Sequence, residues 1–220
     1  MCFSAQASFV AAAVAGVASI AAMARVHERS ELPLAAIPLF FAVQQTTEGF
    51  LWLTLPVAPV GPVTTLLTQA FLLCALVFWP VFAPLAVLCI ERDVRRRQWI
   101  GSCLLSGVVV GCYFLWSLLV SPQTATIEGG HIVYSGDPNL PMTVRVLYPV
   151  ATCLGPALSS HRAIRLFAII AFAGSIAAYL SFWQAFPSVW CYFTAAASGV
   201  ILFQFEQARQ RRSRAETILD

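Results

Sequence analysis

No lysine occurs anywhere in the 220 residues; all thirteen basic side chains are arginine. A retinal protein needs a lysine for its Schiff base, so a seven-helix chain of this composition is not one of that kind. Charge of either sign is scarce. Charged residues make up 10% of the chain and hydrophobic ones 59%, with a mean hydropathy of +0.78. Soluble domains carry about 25% charged residues, so this is a membrane composition. No basic stretch precedes the first apolar run, "MCFSAQASFV AAAVAGVASI AAMARVHERS". A cleaved signal peptide needs such a stretch. Here Arg25 and Arg29 follow the run, and the first helix is expected to be its own insertion signal. Met1 is expected to be removed, leaving Cys2 at the N-terminus. Repeats and linkers are also missing, so residues 1–220 read as one transmembrane domain.

Apolar runs are what the chain has in abundance. A helix needs about 20 apolar residues to cross the bilayer core, and seven stretches approach that length: 3–24, 33–55, 63–90, 99–120, 141–158, 164–183 and 187–207. Pro80 and Pro84 in the third remove backbone donors and predict a kink. The fifth is short and holds Pro149 and Pro156. Arginine placement orients them. The connections "RVHERSE", "ERDVRRRQ" and "SSHRAIR" and the tail "ARQRRSR" carry arginine. "PVAPVGP", "SPQTATIEGGHIVYSGDPN" and "WQAFP" carry none. The alternation predicts an all-α polytopic membrane protein with seven transmembrane helices, N-terminus outside and C-terminus cytoplasmic. In the helix 4–5 loop, two β-prone runs flank Gly129-Gly130, a pair suited to a tight turn, so a short outer β-hairpin is expected. The arginine runs read as topogenic charges beside anionic head groups. Nothing supports a nucleic-acid partner.

Several pieces together look familiar: "MCFSAQASF", "QQTTEGFLWL", "FWPVFAPLAVL" followed by Glu91, "HIVY", "LSSHR" and "SVWCYF". The chain resembles a family of small bacterial multi-pass membrane proteins that begin with MCFSA. The resemblance covers nearly the whole chain. It supports the multi-pass reading, the plasma membrane being the expected location, and implies no activity, cofactor or catalytic residue.

Function must therefore come from polar residues inside the spans, where an ionisable group is costly and marks a site by default. Glu48 lies about 10 Å from the outer end of its helix at 1.5 Å per residue. Ile37, Phe41, Gln44, Gln45, Glu48 and Trp52 share one face at helical spacing. Arg145 and Tyr148 on the fifth helix, Gln69 on the third and Tyr113 on the fourth map to the same outer half. They predict an outward-facing polar pocket that binds or processes a small molecule or lipid. Glu48 and Arg145 are expected to pair, which leaves open a purely structural ion pair.

Seven cysteines occur without CxxC or CxxH spacing. Cys74, Cys89, Cys103, Cys112 and Cys153 read as small apolar packing residues. Cys2 and Cys191 both map to the outer face, where a disulfide is allowed. Cys2, Glu48, His131 and Cys191 are alternatively four ligand types for zinc or another metal, and Cys2 a nucleophile with His131 as base. On the inner side Ser160 is expected to cap the sixth helix, and Glu206 to pair with Arg162 or Arg165. A binding protein, a metal-dependent intramembrane enzyme, a carrier or channel, and an accessory subunit without a pocket all stay open. So does the oligomeric state.

Overall fold

The computed structural model describes residues 4–135, 140–181 and 185–219, the side chains being described as far as residue 210. These form seven helical segments. The first is α1 (Ala5–Met23), started by Ser4, whose hydroxyl accepts the Ala7 N–H. A 3-10 turn (Arg29–Glu31) leads to α2 (Leu32–Ala35) and α3 (Ile37–Thr54), the second segment. The third runs through α4 (Pro62–Leu72), a wide π turn (Leu73–Phe78) and α5 (Trp79–Ile90). The fourth is α6 (Val94–Val120). The fifth is α7 (Met142–Pro149), a π turn (Val150–Leu154) and α8 (Gly155–Ala157). The sixth is α9 (Arg162–Ser181), and the seventh α10 (Phe186–Ala197) with α11 (Val200–Leu219).

Five of the segments are long and apolar enough to cross a membrane: Ala5–Met23, Pro62–Ile90, Val94–Val120, Arg162–Ser181 and Phe186–Gln210. The chain is thus a helical membrane protein by composition. The α2–α3 segment falls outside this set because Gln44, Gln45, Thr46, Thr47 and Glu48 lie together in α3. The α7–α8 segment is short.

Between α6 and α7, β1 (Ala125–Glu128) pairs antiparallel with β2 (His131–Tyr134), Ala125 opposite Tyr134 and Glu128 opposite His131. Gly129 and Gly130 close the turn with φ of 56° and 78°, a region that costs a residue with a Cβ about 1 kcal/mol or more. Strand alternation buries Ile132 and Tyr134 beneath the hairpin.

The first segment packs against the second and also against α10 and α11, so the bundle closes on itself. At the end carrying the inter-helix arginines, polar side chains tie the turns together. Glu91 caps the third segment and is 2% exposed. Its carboxylate accepts from the backbone N–H of Ser160 at 2.7 Å and from those of Arg92 and Asp93 at 3.2 Å each. Arg97 donates to the carbonyls of Leu88 and Glu91, and Arg96 to those of Leu158 and Ser159. Glu206 pairs with Arg25 at 3.1 Å and Arg209 at 3.3 Å. It does not meet Arg162 or Arg165; Arg165 instead donates to the carbonyls of Ser159 and Ser160. Ser159, not Ser160, supplies the side-chain acceptor near the start of α9, taking the His161 N–H.

Candidate functional site

Helical periodicity in α3 delivers the expected face. Gln44, Gln45 and Glu48 are each at most 1% exposed, while Trp52, one turn further, is half-buried. Gln44 is a cross-brace. Its Oε1 accepts the Trp79 indole N–H at 2.6 Å, and its Nε2 donates to the Cys191 thiol at 3.1 Å. This joins the second, third and seventh segments, with Trp79 stacked on Phe41 at 3.9 Å.

Gln45 and Glu48 are satisfied on one side only. Gln45 Nε2 donates to Glu48 Oε2 at 3.2 Å, and Ser188 of α10 faces the same carboxylate. Gln45 Oε1 and Glu48 Oε1 are buried without a hydrogen-bond partner, as are Trp52 Nε1 and the Tyr134 hydroxyl. Tyr134 stacks on Phe71 at 4.8 Å in the same apolar cluster that Trp52 packs against. Burial lifts its phenol pKa well above the ordinary 10.0. Tyr134 and Ser188 belong to the site, yet polarity within the spans does not reveal them. The signal for Tyr134 is the period-two alternation of "HIVY", whose alternate residues turn inward.

Arg145 does not meet Glu48. It is exposed, and no ion pair joins the two among the described residues. Arg145 and Tyr148 instead line a separate cavity of about 470 Å³. Its walls come from the third to seventh segments, including Leu76, Phe114, Ile176 and Leu180, and the hairpin closes one side through Tyr134 and Ser135. The Tyr148 hydroxyl donates to the Ala75 carbonyl at 2.5 Å, inside the π turn of the third segment. A narrower apolar seam of about 40 Å³ follows the bundle towards Leu34 and Ile201, and Tyr148, Trp190 and Cys191 line both spaces. Gln69 lines neither; its Nε2 pins the chain before the hairpin by donating to the Gln123 carbonyl at 2.8 Å. Tyr113 is half-buried against Phe114 and Trp116. The expected single pocket is therefore two neighbouring features: a polar cluster at Glu48 and a mainly apolar cavity at Arg145, which meet at Tyr134 and Cys191.

Cys191 is a buried free thiol, as are Cys103 and Cys153; Cys89 and Cys112 are exposed. Cys2 lies outside the described residues. Among those residues no three of His, Cys, Asp and Glu gather as metal ligands. His131 opens β2 and is half-buried.

No curated protein and no solved structure matches the chain. A family model does, across residues 1–217. The helical bundle and its polar cluster thus come with no known chemistry attached: the chain belongs to a family of unknown function, DUF6629.

Proposed function

We propose that this protein is a seven-span plasma-membrane protein, N-terminus outside and C-terminus cytoplasmic, that binds an amphiphilic small molecule or lipid in the outer half of the bundle. The observation that carries this reading is the cavity of about 470 Å³, within the range of about 300–1,000 Å³ typical of small-molecule sites. Its lining is mainly apolar, and Gln123, Ser135 and Arg145 provide polar groups. Of the thirteen arginines, Arg145 is the one that falls in an outer segment of the proposed topology. It suits an anionic head group, with the alkyl portion against Leu76, Phe114 and Ile176. No reaction follows from this arrangement, and a binding role is the reading it favours over an enzyme.

The test uses the full chain in lipid nanodiscs, titrated with a fluorescent polyene fatty acid. Saturable binding is expected, weakened about tenfold by Arg145→Gln, in line with loss of one charged hydrogen bond. Ser175→Trp, which fills the cavity, should abolish it. Equal binding to all three proteins would overturn the proposal.

A further inference from the structure

The helices around the cavity at Arg145 do not form a closed ring. The fifth and sixth segments meet towards the arginine-bearing end, where the π turn Val150–Leu154 and α8 pack on α9. Among the described residues α7 packs on α6 and scarcely touches α9. The two helices therefore diverge towards the hairpin. Both still line the cavity, α7 through Arg145 and Tyr148 and α9 through Phe172, Ile176 and Leu180. These α9 residues are open as well as lining: Ile176 is 46% exposed, Phe172 49% and Leu180 76%. Spaced by four, they form one stripe of the helix, about 12 Å long at 1.5 Å per residue. A cavity that opened only at the end of the bundle would expose its uppermost residues, not a stripe two turns long. The opening thus runs along the side of a spanning helix. Its length is most of one leaflet's share of a hydrocarbon core about 30 Å thick.

We propose that the gap between α7 and α9 is a lateral portal, and that the cavity takes an anionic lipid directly from the outer leaflet of the surrounding bilayer. This rests on the reading of the cavity as a binding site, and narrows its ligand from amphiphiles at large to a resident membrane lipid. Charge complementarity supports that occupant. Arg145 is exposed, lies in the first turn of α7 and lines the cavity at the outer end of the gap. An anionic head group at that level meets the guanidinium while one acyl chain passes beside Ile176 and Phe172. The rest of the molecule stays in the leaflet. Inside, two rings fixed to the backbone form the floor. Trp190 donates its indole N–H to the Ala171 carbonyl at 2.9 Å, and Tyr148 meets it edge to face at 5.5 Å. Both rings also line the narrow apolar seam beyond, so they stand where the cavity ends and the seam begins. Trp190 is 7% exposed, and a chain that stays in the bilayer does not reach it.

The test places the full chain in phosphatidylcholine nanodiscs doped with a lipid whose acyl chain carries a diazirine. The doped lipid has either a phosphatidylglycerol or a phosphatidylcholine head group. After illumination the adducts are mapped by mass spectrometry. Trp190 should be labelled by the phosphatidylglycerol probe, and about tenfold less by the phosphatidylcholine probe or in Arg145→Gln, as expected for loss of one charged hydrogen bond. Ser175→Trp, which fills the cavity, should remove the Trp190 adduct. Leu119, 75% exposed on α6, should react equally with both probes and serves as the reference. If Arg145→Gln does not fold, the two head groups compared on the unaltered protein decide the matter. Trp190 adducts that are absent, or equal for the two head groups, would overturn the proposal. Titration of the same discs with the fluorescent fatty acid separates the two readings. Saturable binding without Trp190 adducts removes the portal and leaves the cavity a binding site; loss of both removes both.

Discussion

Glu48 and Glu91 are both almost wholly buried, and their surroundings differ in kind. Three backbone N–H groups and the Ser159 hydroxyl converge on Glu91. Glu48 receives one amide donor from its own helix and the Ser188 hydroxyl, and no backbone N–H. Burial alone would raise the Glu91 pKa; the N–H groups of Ser160 and Asp93 outweigh that and hold it below its ordinary 4.5. A carboxylate with a lowered folded pKa contributes stability above its unfolded value, and that contribution is lost as pH falls through the folded value. Glu91→Ala should therefore cost about 3 kcal/mol at neutral pH, because several buried donors lose their acceptor. The gap in melting temperature between wild type and variant should narrow as pH falls below about 4.5. Thermal melts of both proteins across pH 3–7 check this; a gap independent of pH would show that the carboxylate's charge is not what holds the two turns together.

At the scale of elements, the third segment is shaped by its prolines and by what α6 offers them. Pro80 deprives the Leu76 carbonyl of its helical donor, and the π turn Leu73–Phe78 sits where that loss falls. Pro84 does the same to the Pro80 carbonyl. That carbonyl lies against Gly107, where a Cβ would come within 1.9 Å of its oxygen. The contact is with backbone and has no side chain that can swing aside. Gly107→Ala should push α5 from α6 and lower stability by about 1–3 kcal/mol, the usual penalty for overpacking. Gly101, on the same helix with nothing within 4 Å of its Cβ position, is the control. Gly101→Ala should be neutral or stabilising by up to about 1 kcal/mol through helix propensity. Equal melting temperatures for the two variants would show that the close approach at Gly107 is not tight.

At the scale of the whole molecule, the arginine-bearing turns lie at one end of the bundle and the hairpin at the other. The proposed orientation places the hairpin outside. In whole cells, on a cysteine-free background, Glu128→Cys should react with an impermeant maleimide. Arg95→Cys should react only after the membrane is opened. Both side chains are exposed, so access to the membrane side decides the result. Labelling of both in intact cells would refute the orientation.

The sequence by itself determined the helical character, the apolar spans and the buried face of α3, because helical periodicity and hydropathy are local properties. The Gly129-Gly130 turn was legible for the same reason. Tertiary structure decided which polar groups meet. The apolar spans map Arg145 and Glu48 to one depth, but such mapping does not fix rotation about a helix axis. The structure sends Arg145 to the cavity and leaves Glu48 to Gln45 and Ser188. Tyr134 reaches the site from a hairpin some eighty residues away in sequence. Glu91 gains its role only because the turn at Ser159–Ser160 folds over it. Contacts of this range arise from how segments pack, and no periodicity within a single segment encodes them.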